Sequence, residues 1–72
     1  MFRVEIRLAD EDRLVETVEA MRTWLADHQF TPETFGYSLS SELVRFRVDF
    51  AIEAQAAAFA KAFGGVIVRD LV

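Results

Sequence analysis

Two stretches of strict alternation constrain the fold of this chain more than any other feature. In residues 2–8 and again in residues 44–50, every second side chain is apolar and those between them are all charged. Successive side chains of a β-strand point to opposite faces of its sheet. Each stretch therefore predicts a strand with one buried, apolar face and one exposed, charged face.

Apolar residues at helical spacing predict one helix after each of these strands. The first helix follows Asp10, its expected N-cap, and ends before Pro32. The second lies in the alanine-rich residues 51–63 and stops at Gly64-Gly65. The residues expected on the buried faces are Leu14, Val18, Met21 and Leu25 in the first helix, and Ile52, Ala56, Phe59 and Phe63 in the second.

Two further strands complete the pattern. Phe35, Tyr37 and Leu39 alternate with Gly36 and Ser38 before the second alternating stretch, and an apolar segment, residues 66–72, follows the second helix. The resulting order βαββαβ predicts a single α+β domain over residues 1–72, the ferredoxin-like split β-α-β plait. In this plait a four-stranded antiparallel sheet, with strand order four-one-three-two, carries both helices on one face.

The uncovered face of such a sheet is the first candidate binding surface. It is expected to carry Glu5 and Asp49 together with five arginines, Arg3, Arg7, Arg45, Arg47 and Arg69. That makes a basic face on a chain whose net charge is −4. Planar guanidinium groups suit an anion or an acidic partner. The same residues are also compatible with a solvated face on which arginines and carboxylates pair across strands.

The segment from Arg45 to Phe50 resembles the end of the third-strand signature of RNA-recognition motifs. In that family the outward positions carry aromatic side chains on which bases stack. The corresponding positions here are Arg45 and Arg47, and the first strand has Arg3 and Glu5 at its outward positions. The resemblance therefore implies nucleic-acid binding as an alternative function, without an aromatic platform.

The last strand is a second candidate surface. Val66, Ile67, Val68 and Leu71 place apolar residues on both of its faces, although it is predicted to be an edge strand. Natural proteins rarely leave such an edge uncovered. We therefore expect this edge to be buried in a homodimer; exposed apolar side chains of no further significance are the alternative.

Residue types exclude several kinds of chemistry. The chain has no cysteine and one histidine, and His28 has no nucleophile or second imidazole as an evident partner. The run Asp10-Glu11-Asp12 is typical of helix capping more than of a metal site. We therefore expect no catalytic residues, no cofactor and no metal, and no membrane-spanning segment.

The sequence as a whole favours a small, non-catalytic binding or regulatory module. We expect a cytoplasmic, bacterial protein, because no signal peptide is visible and seven of the eight basic residues are arginine. Its partner would be a second copy, an acidic protein or a small anion.

Overall fold

The computed structural model describes residues 1–40 and 43–69 and has an α+β architecture. Four strands and two α-helices follow one another as β1 (Phe2–Leu8), α1 (Leu14–Asp27), β2 (Thr34–Ser40), β3 (Leu43–Phe50), α2 (Glu53–Phe63) and β4 (Val66–Arg69), with a short 3₁₀ turn (Glu11–Arg13) before α1. Both predicted helices and all four predicted strands are present. Strand β4 is described as far as Arg69.

The strands form one antiparallel sheet in the order β2-β3-β1-β4. Read from the β4 edge, the order is four-one-three-two. The central strands β1 and β3 are the two with strict alternation, and they pair along their whole length from Phe2–Phe50 to Leu8–Val44. Each of these two strands has a sheet neighbour on both sides.

Both helices cover the same face of the sheet. Met21 and Leu25 of α1 and Ala56, Phe59 and Ala60 of α2 belong to one buried cluster with the inward side chains of the central strands. The strand residues in that cluster are Val4, Ile6, Val44, Phe46, Val48 and Phe50. Trp24 joins the helices, since its ring packs against Phe59 and Phe63 with centroid distances of 5.5 and 6.0 Å.

The two helices end in the same way, with a left-handed residue followed by a backbone hydrogen bond that reaches back five residues. Gly64 has φ +70° and Gly65 N donates to Ala60 O at 2.8 Å. At the end of α1, Gln29 has φ +58° and Phe30 N donates to Leu25 O at 2.9 Å. The first helix thus uses glutamine where the second uses glycine.

One predicted buried position, Ile52, is wrong. Ile52 precedes α2 as its N-cap residue and is 53% exposed, because the helix begins only at Glu53. Tyr37 lies opposite Phe46 on the helix-covered side, but β2 is an edge strand and the ring is 49% exposed. No helix in the described residues is long and apolar enough to cross a membrane.

Candidate functional site

The sheet face opposite the helices, which we call the open face, carries mostly polar and charged residues. Strand register defines three rows across it, because directly paired residues share a face. From β2 to β4 the rows are Thr34–Asp49–Arg3–Val68, Gly36–Arg47–Glu5–Val66 and Ser38–Arg45–Arg7.

Four of the five arginines predicted for this face are brought together on it: Arg3, Arg7, Arg45 and Arg47. The side chain of the fifth, Arg69, lies outside the described ones. In strand register position 69 pairs with Phe2, and the assignment of Arg69 to the open face stays a prediction.

Counted over the described side chains, the open face holds four arginines and two carboxylates, a net charge of +2. The rest of the chain then carries −6, since the total is −4. On this count a basic face stands against an acidic remainder of the chain.

The first row is internally neutralised. Arg3 Nε donates to Asp49 Oδ1 at 2.9 Å, and Thr34 Oγ1 donates to Asp49 Oδ2 at 2.6 Å. The Asp49 side chain is only 12% exposed. The hydrogen bond from Arg3 is the largest cause of a lowered pKa at Asp49; Thr34 and the positive charges of Arg3 and Arg47 add to it, and burial opposes it. This row is a structural network that links three strands.

The opposite end of the face is not neutralised in this way. Arg7 lies directly opposite Arg45, and Arg47 follows Arg45 on the same face of β3. All three side chains are exposed, and in the described part of the chain no ion pair involves any of them. Even Glu5, the cross-strand partner of Arg47, forms no ion pair with it among these residues. We call Arg7, Arg45 and Arg47 the arginine corner.

Cross-strand partners have Cβ atoms roughly 4.5–5.5 Å apart, and residues two apart on a strand are separated by about 7 Å. Like charges directly opposite each other destabilise a sheet. The Arg7–Arg45 pair is therefore unfavourable for the isolated fold. A bound anion would turn the same proximity into a favourable arrangement, because two guanidinium forks can share one acceptor group.

Strand β2 borders the arginine corner with two small residues that no sequence pattern marked as part of a binding face. Gly36 pairs with Arg47 and Ser38 pairs with Arg45. A Cβ atom added at Gly36 would meet no atom within 4 Å, and its φ is not positive. The fold therefore does not need glycine here, although glycine inside a strand costs about 0.5–1 kcal/mol relative to alanine. The alternation of β2 already placed both residues on one face, but only the register sets them beside the arginines.

The second predicted surface is an edge strand, because among the described strands β4 pairs with β1 alone. Val66 and Val68 lie on the open face and are 67% and 41% exposed, whereas Ile67 packs partly against the core. Leu71, the fourth predicted edge residue, lies outside the described residues. The valines adjoin Glu5 and Arg3 in register, so the β4 side of the open face is apolar.

The other residues that the sequence singled out have structural contacts. His28 stacks on Trp24 with a centroid distance of 4.0 Å, as its spacing predicts, and its Nδ1 donates to Trp24 O at 2.8 Å. Asp10 caps the 3₁₀ turn by accepting from Asp12 N at 3.0 Å. Within the described residues, no cluster of three or more histidine and carboxylate side chains has the geometry to hold a metal ion.

Comparison with known proteins adds no relative from which a function could be transferred. No protein-family model matches the chain, and neither curated sequences nor solved structures include a significant match. Function is therefore argued from the open face itself.

Proposed function

We propose that this protein is a non-catalytic binding module that recognises an anionic group through the arginine corner. The strand order and the covering of one sheet face by both helices support its membership in the ferredoxin-like plait class. The observation that carries the proposal is the exposed Arg7–Arg45 pair, which has Arg47 beside it and no ion-pair partner within the described residues.

The contrast within the open face gives this observation its weight. In the first row Arg3 is matched by a carboxylate that is nearly buried and held by a second hydrogen bond. A face selected only for solubility would gain from the same arrangement in all rows, since opposite charges across strands stabilise a sheet and like charges destabilise it. An anion supplied from outside offsets the repulsion at the arginine corner.

The direct test compares two double variants of equal charge. Arg45→Ala with Arg47→Ala removes two charges from the arginine corner, while Arg22→Ala with Lys61→Ala removes two from the helices. Each tagged chain is used at low salt to recover bound proteins, nucleic acids and small anions from native-cell extract. The proposal expects an acidic protein or anion that is retained by the wild type and the helix variant and lost by the corner variant. Equal retention by all three chains contradicts it.

Nucleic-acid binding is the second candidate function. It is favoured by the position of Arg45 and Arg47 at the outward sites of β3, and it is opposed by the charge of −6 on the rest of the chain. Phosphate contacts release counterions, so binding to RNA must weaken steeply as salt rises. Titration with a single-stranded oligonucleotide at two salt concentrations separates this candidate from a partner held by apolar contacts, whose affinity is nearly independent of salt.

We also propose that a second copy of the chain covers the β4 edge. Two β4 strands paired antiparallel about a twofold axis would remove the unpaired edge and bury the exposed Val66 and Val68. So small a core also gains from association. Sedimentation at high micromolar concentration is expected to show a dimer that Val68→Lys dissociates. Val15→Lys, at a 70% exposed position on α1, is the matched control. A wild-type chain that sediments only as an 8.2 kDa species overturns this proposal.

A further inference from the structure

We infer that the arginine corner binds a compact dianion, the phosphate monoester group of a small molecule, seated against β2 at Gly36. This inference rests on the proposed function and specifies its ligand class. It is carried by three features of the described residues: the local charge, the extent of the unmatched positive surface and the opening beside Arg47.

The charge at this end of the face matches a dianion. The Arg3–Asp49 pair of the first row sums to zero, so the whole excess of the open face comes from the second and third rows. These two rows contain three arginines and one carboxylate, which gives a local charge of +2; the residues are Arg7, Arg45, Arg47 and Glu5. A phosphate monoester carries a charge of about −1.5 to −2 at neutral pH and three strong acceptor oxygens.

The positive surface is also too short to contact several successive phosphates of a polyanion. It covers two rows, about 7 Å along the strands. The neutral first row bounds it at one end, and the exposed valines of β4 bound it at one side. A nucleic-acid backbone needs cations repeated along its path, whereas one phosphate group can be reached by two or three neighbouring guanidinium groups.

Gly36 opens this surface on the β2 side. Its missing side chain leaves the space next to Arg47 clear, since nothing lies within 4 Å of where a Cβ atom would stand. Glycine inside a strand often marks a place where a ligand approaches the backbone closely. Ser38, exposed in the next row beside Arg45, adds a hydroxyl donor.

Methyl phosphate and dimethyl phosphate provide matched probes, because they differ by one methyl group and one negative charge at pH 7.5. Backbone amide shifts of the ¹⁵N-labelled chain are followed at constant ionic strength. We expect methyl phosphate to bind about tenfold more tightly, equivalent to one charge-assisted contact, with the largest shifts at Gly36, Ser38, Arg45 and Arg47. Equal affinity for the two probes overturns the inference.

Gly36→Val tests the opening without changing any charge. Valine favours strand conformation, so the thermal midpoint should be unchanged or higher while methyl phosphate affinity falls about tenfold or more. Leu39→Val, on the other face of the same strand, is the control and should keep the affinity of the wild type. A folded Gly36→Val chain that binds methyl phosphate normally overturns the inference.

Arg45→Lys is a second variant that does not depend on the folding of the first. Lysine keeps the charge but loses the planar donor fork, so affinity for methyl phosphate should fall about tenfold. Retained affinity in this variant contradicts recognition by a guanidinium fork.

Failure of the ligand class and failure of the proposed function give different results. One outcome is that the chain binds an acidic protein or a polyanion through Arg45 and Arg47 and shows no preference for methyl phosphate. That result supports the proposed function and contradicts the inference that the ligand is a phosphate monoester. If the Arg45→Ala, Arg47→Ala chain keeps every binding activity of the wild type, both the phosphate-monoester inference and the proposed function are wrong.

Discussion

Arg7 and Arg45 lie directly opposite each other across the two central strands of the sheet. Two rows away on the same strands, Arg3 and Asp49 are also partners and form an ion pair of 2.9 Å. The same ladder thus holds one matched and one mismatched charge pair. The mismatched pair marks the end of the open face where we place the function.

The first prediction concerns the stability of this mismatched pair. Arg7→Glu replaces a like-charge pair with an opposite-charge pair and should raise the free energy of unfolding by about 0.2–1 kcal/mol. Urea denaturation at low salt measures the change. The gain should shrink as salt screens the exposed charges. Arg22→Glu, on the exposed side of α1, has the same change in charge as a control. Destabilisation by Arg7→Glu relative to this control contradicts the repulsion.

The second prediction concerns Asp49. Asp49→Asn should destabilise the chain by about 1.5–3 kcal/mol at neutral pH, because it removes a charged hydrogen-bond partner of both Arg3 and Thr34. The pKa of Asp49 is lowered from 3.8 in the folded chain. Its stabilising contribution is therefore fully present above the unfolded value and is lost as pH falls through the folded value.

Urea titrations of the wild type and of Asp49→Asn from pH 7 to pH 2 test the sign. The difference between their unfolding free energies should be constant above about pH 5 and should decrease below pH 3.8. Glu16→Gln, which alters the exposed contact with Arg13, is the control and should leave the profile nearly unchanged. A difference that grows toward acid pH contradicts the role of Asp49.

The third prediction separates two adjacent glycines. A Cβ atom at Gly65 would lie 2.6 Å from Ile6 Cγ1, 2.9 Å from Val4 Cγ1 and 3.0 Å from Glu5 O. Gly65→Ala must push the helix end away from β1, at a cost of about 1–3 kcal/mol or more. Gly64→Ala meets no atom within 4 Å but keeps a left-handed φ, which costs about 1–2 kcal/mol.

Amide chemical shifts distinguish a steric clash at Gly65 from backbone strain at Gly64 better than the free energy of unfolding does. Gly65→Ala should displace the resonances of Val4 and Ile6 in the core, whereas Gly64→Ala should affect mainly the end of α2. Core shifts of equal size in both variants contradict the close approach at Gly65.

The fourth prediction follows from the shared geometry of the two helix ends. Gln29 adopts at the end of α1 the left-handed conformation that Gly64 adopts at the end of α2. Gln29→Gly should stabilise the chain by about 0.5–1 kcal/mol, since relief of the left-handed strain exceeds the added flexibility of the unfolded chain. Thermal denaturation measures the gain, and Gln55→Gly inside α2 should destabilise by a similar amount. A lower thermal midpoint for Gln29→Gly than for the wild type contradicts backbone strain at Gln29.

Much of the fold could be predicted because its signals are local. Alternation along β1 and β3 follows from the geometry of a strand, and the spacing from Leu14 to Leu25 follows from the geometry of a helix. The stacking of His28 on Trp24 was predictable for the same reason, since residues four apart adjoin on a helix. Gly64 was an expected helix end because left-handed backbone favours glycine.

The candidate site was predictable only in part, because it depends on how strands pair. Period-two alternation assigned Arg3, Arg7, Arg45 and Arg47 to one face, but it contains no information on which residue lies opposite which. The neutralised Arg3–Asp49 pair, the Arg7–Arg45 repulsion and the position of Gly36 beside Arg47 all come from register. Register matters in this way because a shift of one residue exchanges the two faces of a strand.

The sequence by itself determined the number and type of elements and the segregation of charge to one face, because both follow from the chemistry of neighbours along the chain. The tertiary structure alone decided which charges are matched. That choice depends on contacts between residues far apart in the sequence, such as Arg3 and Asp49, which are separated by 46 positions. Such contacts are set by the packing of the helices on the sheet and by the ladder that this packing holds in register.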